Sequence, residues 1–364
     1  MKHLLILILV FSIPLFFPQP IVEKEANLEI PIVKTVEEEI LESMSIEEKV
    51  GQLFIFGFDN ISLNKETKDF LTNNKIGGVL LLSKNIQNEV QLKTLVEDLQ
   101  STNRIPLFIT IDQEGGVVAR IKWNEILTVP QEYIESSDYA YTIAKSRGEL
   151  LRSYGINMNF APVVEDITNP SSFMFNRVYR DNVIEKSISS VKGYKDAQIV
   201  SVPKHYPGHS NDSPDSHYSL PVVNITNEQW NKYTNTFTPV LKISDAVMIG
   251  HIMFPNIDSK PATISSEIVN KRLIEGESFN GLIISDDMEM DALKNIDTHQ
   301  NIAKEALLSG IDILIYSKYA TKSPTIQKDV YNYILEEVRS GNIDIDQKVL
   351  KILRTKIQYS ILIP

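Results

Sequence analysis

The sequence contains no cysteine among its 364 residues. Without thiols the chain cannot form a disulfide framework, bind a metal ion through thiolates or use a cysteine nucleophile. The same absence excludes an N-terminal cysteine that carries a lipid. It leaves the cellular compartment open.

Positive charge is also scarce. The chain has 36 lysines and arginines against 47 aspartates and glutamates, which gives a net charge of -11 and a pI near 5.2. Such a chain repels a polyphosphate backbone, and no basic stripe interleaved with aromatic residues is present to override that repulsion. We therefore expect no nucleic-acid partner.

A long apolar run occurs at the N-terminus, from Leu4 to Phe11, and resumes as far as Phe17. It is shorter than the roughly 20 residues of a membrane span and is interrupted by Pro14, so it is typical of an export signal. We expect residues 1–20 to be a signal peptide or an uncleaved N-terminal membrane anchor, and residues 21–36 to be a linker. The protein is then exported, and is secreted, periplasmic or anchored at the outer face of the membrane.

After this segment, short apolar runs alternate with longer stretches that are compatible with helices, which predicts βα units and a parallel sheet. Eight such runs can be counted: Leu53–Phe58, Gly78–Leu82, Leu107–Asp112, Met158–Val164, Ile199–Lys204, Ala246–His251, Leu282–Asp286 and Asp312–Tyr316. They predict an α/β fold, a (β/α)8 TIM barrel that forms a single domain over residues 37–364. A doubly wound open sheet shows the same alternation, but no G-x-G-x-x-G turn follows the first run.

Four of the runs end in polar or ionisable residues. In a TIM barrel the active site forms at the C-terminal ends of the strands, so these are the positions where catalytic residues are expected. The clusters begin at Asp112, Lys204, His251 and Ser285.

The densest cluster, K-H-Y-P-G-H-S-N-D-S-P-D-S-H, covers Lys204 to His217. Its prolines and glycine force turns, so its last residues lie on a loop that can fold over the barrel mouth. Asp215 and His217 supply a carboxylate beside an imidazole, which suits proton transfer near neutral pH. Alternatives are a hydrogen-bonded structural loop or a metal site formed by His205, His209 and His217.

The second cluster, Ser285-Asp286-Asp287, closes an apolar run with two carboxylates. Asp287 is a candidate N-cap for the segment that follows. Asp286 is then free to attack an anomeric carbon and form a covalent glycosyl-enzyme, although a structural role is equally open. In a third cluster, Asp112-Gln113-Glu114-Gly115-Gly116, the candidate for accepting hydrogen bonds from sugar hydroxyls is Asp112, because it lies at the strand end.

Together these residues resemble signatures of glycoside hydrolase family 3, in its β-N-acetylhexosaminidase branch. The family motifs D-Q-E-G-G, K-H-F-P-G-H-G-x-x-x-x-D-S-H and S-D-D-L-x-M correspond to Asp112–Gly116, Lys204–His217 and Ser285–Met290. The chain departs from the family at Ser210, where glycine is common, and at Pro214.

The resemblance implies that Asp286 is the nucleophile and that His217, held by Asp215, is the general acid and base. It also implies a set of substrate-binding residues: Asp112, Arg177, Lys204, His205 and His251.

By the same resemblance, the expected activity is that of a retaining exo-β-N-acetylglucosaminidase without metal or organic cofactor. The expected substrate is a terminal β-linked GlcNAc of cell-wall muropeptides or chitin-like oligosaccharides, bound by a monomer. Two alternatives remain: a phosphorylase that uses phosphate in place of water, and a non-catalytic sugar-binding protein on the same barrel.

Overall fold

The computed structural model describes residues 34–318 and 323–363. The predictions for residues 1–20, and for the linker up to residue 33, lie outside these ranges. Residues Thr35–Pro364 form one compact unit. No helix in the described ranges is long and apolar enough to cross a membrane.

The core is a barrel of eight parallel strands within the described ranges. They are Phe54–Gly57 (β1), Gly78–Leu81 (β2), Phe108–Ile111 (β3), Met158–Asn159 (β4), Val200–Ser201 (β5), Ala246–Ile249 (β6), Leu282–Asp287 (β7) and Ile313–Tyr316 (β8). Hydrogen bonds join them in the order β5-β4-β3-β2-β1-β8-β7-β6. The prediction of a (β/α)8 TIM barrel is confirmed.

Helices surround the barrel. Residues 34–318 and 323–363 contain twelve α-helices: Val36–Ser43 (α1), Ile46–Gln52 (α2), Lys65–Asn73 (α3), Glu89–Gln100 (α4), Glu125–Thr128 (α5), Ser137–Ser153 (α6), Val183–Asp196 (α7), Trp230–Tyr233 (α8), Phe237–Leu241 (α9), His299–Ser309 (α10), Ile326–Arg339 (α11) and Asp346–Gln358 (α12). A π-helix covers Glu267–Gly276, and short 3-10 turns cover Ser83–Asn85, Gln131–Tyr133, Phe175–Arg177, Ala262–Ile264 and Asp291–Leu293.

The strands are apolar on both faces because the outer face packs against helices and the inner face fills the barrel. Phe54 and Phe56 of β1 show the outer packing, with Tyr331 of α11 lying 6.0 Å from Phe54 and Phe70 of α3 lying 5.6 Å from Phe56, between ring centroids. Burying one such aromatic side chain stabilises the fold by about 2 kcal/mol.

Strands β4 and β5 are shorter than the runs Met158–Val164 and Ile199–Lys204 that predict them. Pro162 and Pro203 lie in these runs, and a proline has no N–H to donate to a neighbouring strand. Pairing nevertheless resumes beyond them, since Lys204 N donates to Pro162 O at 3.0 Å and Val164 N donates to Lys204 O at 2.9 Å.

The seam between β5 and β6 is closed by the segment that follows β5. Met248 N donates to Pro203 O at 3.0 Å, Tyr206 N donates to Met248 O at 2.8 Å and Gly250 N donates to Tyr206 O at 2.9 Å. Tyr206 is fully buried against Trp230 and Phe237. The residues that close the barrel are therefore part of the polar cluster predicted to carry the chemistry.

Candidate active site

A cavity of about 540 Å³ opens at the C-terminal ends of the strands. Of the eight predicted site residues, seven line it: Asp112, Arg177, Lys204, His205, Asp215, His217 and Asp286. They come from the segments that follow β3, β4 and β5 and from the end of β7, which are far apart in sequence but converge at the barrel mouth. The exception, His251, lies behind the wall.

One wall is a network of opposite charges. The Nζ atom of Lys204 lies 2.8 Å from Asp112 Oδ1 and 2.6 Å from Glu114 Oε1. Arg177 binds Glu114 through two parallel hydrogen bonds, Nε to Oε2 at 3.0 Å and NH2 to Oε1 at 2.9 Å. Arg120 adds a contact of 3.3 Å to Asp112 Oδ2. Paired guanidinium and carboxylate groups of this kind hold each other in one orientation.

Both carboxylates and the ammonium of this wall are ionised at neutral pH. Burial opposes ionisation, but Lys204 and Arg120 hold the pKa of Asp112 below its ordinary value, and Arg177 and Lys204 do the same for Glu114. Burial likewise disfavours the Lys204 ammonium, yet Asp112 and Glu114 raise its pKa. The wall therefore presents fixed donors and acceptors to a ligand rich in hydroxyl groups.

The Asp215–His217 pair lies on the loop above this wall. Asp215 Oδ1 accepts two hydrogen bonds, from His217 N at 3.0 Å and from His217 Nδ1 at 2.7 Å. Burial opposes ionisation of Asp215, but these two bonds from His217 lower its pKa. Because Nδ1 carries a proton, the Nε2 atom of this half-exposed imidazole is left to exchange a proton with a ligand.

Asp286 lies at the end of β7, in the cavity wall. Burial would favour its protonated form, but His205, His251 and the N–H of Asp287 lower its pKa, so the carboxylate is ionised. Oδ1 accepts a hydrogen bond from Asp287 N at 2.8 Å. Oδ2 accepts none from any residue in the described ranges, which leaves it available to a reacting carbon.

The next residue, Asp287, is held by the structure around it. Its Oδ1 accepts hydrogen bonds from Ser317 N at 3.1 Å and Glu289 N at 3.2 Å, and its Oδ2 accepts one from the Ser317 hydroxyl. The bond from Glu289 N is an N-terminal cap of the kind that the sequence suggests, although a turn follows rather than an α-helix.

His251 supports this strand end from behind. It is fully buried, and its Nε2 donates to Asp287 O at 2.9 Å. Burial lowers its pKa, so the ring is neutral and Nδ1 accepts a hydrogen bond from the Thr263 hydroxyl at 2.6 Å. The structure thus places His251 outside the cavity that it was expected to line.

His205 and His209 meet at Glu165. The Nδ1 atoms of the two imidazoles lie 3.1 Å and 2.7 Å from the same oxygen, Glu165 Oε1. Among the described residues, these three side chains form the one group whose donor atoms are close enough to hold a metal ion, all within 4.8 Å of one another. His217, which the alternative metal site would combine with the other two histidines, pairs with Asp215.

Four further functional candidates were not among the predicted residues: Glu114, Arg120, Glu165 and Tyr218. Glu114 stands two positions after Asp112 and shares its side of the extended chain. Glu165 directly follows the apolar run Met158–Val164, so the rule that chemistry follows a strand end could have found it. Tyr218 adjoins His217 and gave no signal of its own.

Known proteins resemble this chain over most of its length. The model of the Glycosyl hydrolase family 3 N terminal domain matches residues 45–355. The chain is 30% identical to Beta-hexosaminidase A of Pseudoalteromonas piscicida, over 70% of this chain and 48% of that protein. It is also 30% identical to a Beta-hexosaminidase of Psychromonas ingrahamii, over 72% of this chain and 81% of that protein.

A solved structure supports the fold in detail. The family 3 beta-N-acetylglucosaminidase of a Paenibacillus species aligns with a TM-score of 0.81 and 30% identity, over 87% of this chain and 63% of that chain. The chain therefore spans less than two thirds of that protein and about half of the Pseudoalteromonas relative. With most of its length matched by the family model, the chain belongs to glycoside hydrolase family 3.

Proposed function

We propose that this protein is a retaining exo-β-N-acetylglucosaminidase that works through a covalent glycosyl-enzyme. One observation carries the proposal: an ionised carboxylate with a free oxygen, Asp286, shares a cavity with an imidazole whose Nε2 is free, His217. A nucleophile and a proton donor on one sugar-sized cavity are what two-step displacement requires.

In the first step, Oδ2 of Asp286 attacks the anomeric carbon and the glycosidic C–O bond breaks. The protonated His217 donates its Nε2 proton to the departing oxygen, so that the leaving sugar departs as a neutral alcohol. The Asp215 carboxylate, 2.7 Å from Nδ1, stabilises the imidazolium before this transfer.

In the second step, His217 removes a proton from water, and the water oxygen displaces Asp286 from the anomeric carbon. The product is GlcNAc with the β-configuration of the substrate, because two inversions restore the original stereochemistry. The carboxylate and the imidazole both return to their starting protonation states.

The charged wall supports binding of the terminal sugar. Asp112 accepts hydrogen bonds from hydroxyl groups, while Lys204 and Arg177 donate to hydroxyl or acetamido oxygens. These side chains are held by one another at 2.6 to 3.0 Å before the ligand arrives, so little entropy is lost on binding. The proposed substrates carry a terminal β-linked GlcNAc, as in cell-wall muropeptides or chitin-like oligosaccharides. We propose that the protein is exported and acts on them as a monomer.

The test is hydrolysis of p-nitrophenyl β-N-acetylglucosaminide, with the β-glucoside as the control substrate. We expect activity from wild type and a loss of at least about 1,000-fold in Asp286→Ala and His217→Ala, since each removes a group that acts in the transition state. Asp291→Asn removes an exposed carboxylate from the same cavity wall and is the matched control.

Azide separates the two roles. It should restore turnover of Asp286→Ala by attack from the vacated face, which gives the α-glycosyl azide, and should give the β-glycosyl azide with His217→Ala. No turnover of either substrate by folded wild type would refute hydrolysis. Phosphate-dependent formation of GlcNAc 1-phosphate would identify a phosphorylase instead.

A further inference from the structure

Glu165 is a buried carboxylate to which the two-step mechanism assigns no part. It lies just after β4 with 2% of its surface exposed. Its Oε1 lies within hydrogen-bond distance of four N–H groups of one segment: His205 N at 3.4 Å, His205 Nδ1 at 3.1 Å, His209 N at 3.3 Å and His209 Nδ1 at 2.7 Å. Burial opposes ionisation, but the two imidazoles hold the pKa of Glu165 below its ordinary range.

The neighbours of His205 determine where its proton lies. Its Nε2 is 3.4 Å from NH2 of Arg177, and a guanidinium can only donate, so Nε2 carries the lone pair. Nδ1 then carries the proton and donates it to Glu165. Burial lowers the pKa of His205 despite this carboxylate, so the ring is neutral. Both ends of the ring thus indicate the Nδ1–H tautomer.

His209 has the same tautomer. Its Nδ1 donates to Glu165, while its Nε2 is buried and has no hydrogen-bond partner in the described ranges. A proton on Nε2 would be a buried donor without an acceptor, which is costly. The ring edge also contacts Phe173, with centroids 5.2 Å apart and planes at 89°.

The segment around His209 borders empty space on two sides. His209 lines the active-site cavity, and residues 207–211 also line a second cavity of about 440 Å³. Hydrogen bonds also hold this segment: Tyr233 donates its hydroxyl proton to Gly208 O at 2.7 Å, and Asn211 Oδ1 accepts from Thr168 N at 2.7 Å. Glu165 accepts the hydrogen bonds nearest to the start of the loop that carries Asp215 and His217.

We propose that Glu165 is the positioning residue of this site. By accepting from both imidazoles it keeps His205 in the tautomer whose Nε2 accepts from Arg177 at the cavity wall, and it anchors the start of the loop that carries Asp215 and His217. The effect on catalysis rests on the proposed function; the tautomer and the anchoring do not.

The experiment compares Glu165→Gln, which keeps one acceptor oxygen, with Glu165→Ala, which removes both carboxylate oxygens. Asp166→Asn, an exposed carboxylate beside it, is the matched control. Long-range ¹H–¹⁵N spectra of the imidazoles report the tautomers, with His205→Gln and His209→Gln used for assignment. Steady-state kinetics on the p-nitrophenyl substrate report kcat and KM.

We expect Nδ1–H signals for both histidines in wild type and in Glu165→Gln. In Glu165→Ala the Nδ1 protons lose their acceptor, so their signals should shift upfield and weaken through exchange with water. In metal sites, loss of an outer residue that orients a ligand side chain typically costs about 10- to 100-fold in activity. By analogy we expect kcat/KM of Glu165→Ala to fall by about 10- to 100-fold and that of Glu165→Gln to stay within about threefold of wild type. The spectra need no substrate, so they test the positioning even if the proposed activity fails.

Three outcomes would overturn the proposal. The first is an Nε2–H tautomer for His205 in wild type. The second is equal kcat/KM losses in the Gln and Ala variants, which would assign the role to the charge rather than to the acceptor. The third is stoichiometric Zn²⁺ binding that displaces both Nδ1 protons and is abolished in Glu165→Gln, which would make the cluster a metal site.

Discussion

The free energy of unfolding of Asp287→Asn, relative to that of wild type, should be higher at neutral pH than at acid pH. Burial raises the pKa of Asp287 to about 6, despite hydrogen bonds from Ser317 and Glu289, and the nearby Asp286 charge adds to this effect. Asparagine fits the same contacts, because its Oδ1 can accept from both N–H groups and its Nδ2 can donate to the Ser317 oxygen.

The magnitude can be worked out from the two pKa values. An unfolded aspartate has a pKa of about 3.9, so between about pH 4 and pH 6 the unfolded state binds fewer protons than the folded state, and wild-type stability falls as pH rises. A difference of about 2 in pKa corresponds to at most about 3 kcal/mol. Wild type has already lost about 1 kcal/mol of this stability at pH 4.5, so it should lose about 2 kcal/mol more between pH 4.5 and pH 7.5.

Urea denaturation of both proteins at pH 4.5 and pH 7.5 measures this difference. The free energy of unfolding of Asp287→Asn minus that of wild type should rise by about 2 kcal/mol over this range, because other groups titrate equally in both proteins. Asp291→Asn, at an exposed position, should show no such rise. A constant difference for Asp287→Asn would show that this carboxyl keeps the pKa of an unfolded chain.

Three more outcomes are expected. Lys204→Met leaves the buried Glu114 and the partly buried Asp112 without their shared cation and should lower the free energy of unfolding by about 3 kcal/mol in urea denaturation; a loss below about 1 kcal/mol would contradict the ion network. Gly208→Ala should lower the free energy of unfolding by at least about 1 kcal/mol, because φ is +115° there, a conformation that residues with a Cβ rarely adopt; unchanged urea stability would contradict this strain. Tyr218 is 79% exposed at the cavity mouth, where its ring can stack on the leaving sugar. Tyr218→Ala should therefore lower kcat/KM for chitobiose about fivefold and leave kcat/KM for methyl β-GlcNAc unchanged. Tyr133→Ala, at a 67% exposed tyrosine outside the cavity, is its control, and equal effects of the two variants on chitobiose would refute the stacking.

The fold could be predicted because a barrel strand is apolar on both faces and therefore stands out as an uninterrupted run. The ends of the runs were less predictable. Proline in Met158–Val164 and in Ile199–Lys204 does not interrupt the apolar pattern, yet it removes a donor from the ladder, so the regular strands stop earlier than the runs do.

The site was predictable to the extent that chemistry follows strand ends. This rule and the family resemblance together named seven of the residues that line the cavity. The position of His251 was not predictable, because a histidine at a strand end can face the cavity or pack behind the next strand. The sequence alone does not show that the ring of His251 reaches the carbonyl of Asp287.

Departures from the family motifs are also explained by local contacts. Ser210, where the family often has glycine, is held by Ser213, whose Oγ accepts a hydrogen bond from Ser210 N at 2.9 Å. Tyr179 and Arg180 stand where the family usually has phenylalanine and glycine after the arginine. Tyr179 is buried against Ser190 and Arg180 stacks on the ring of Phe175, while Arg177 keeps its paired hydrogen bonds to Glu114. Such compensation depends on spatial neighbours that a motif does not specify.

At the seam between β5 and β6, one segment both closes the barrel and lines the active-site cavity. Because the backbone from Pro203 to Tyr206 joins β5 to β6 while Lys204 and His205 line the cavity, the site cannot become disordered locally without opening the barrel wall. For protein engineering, this stretch is a poor place to cut the chain in a circular permutant or to insert a domain. Substrate preference is better altered at the rim, where Tyr218 can change without loosening the wall.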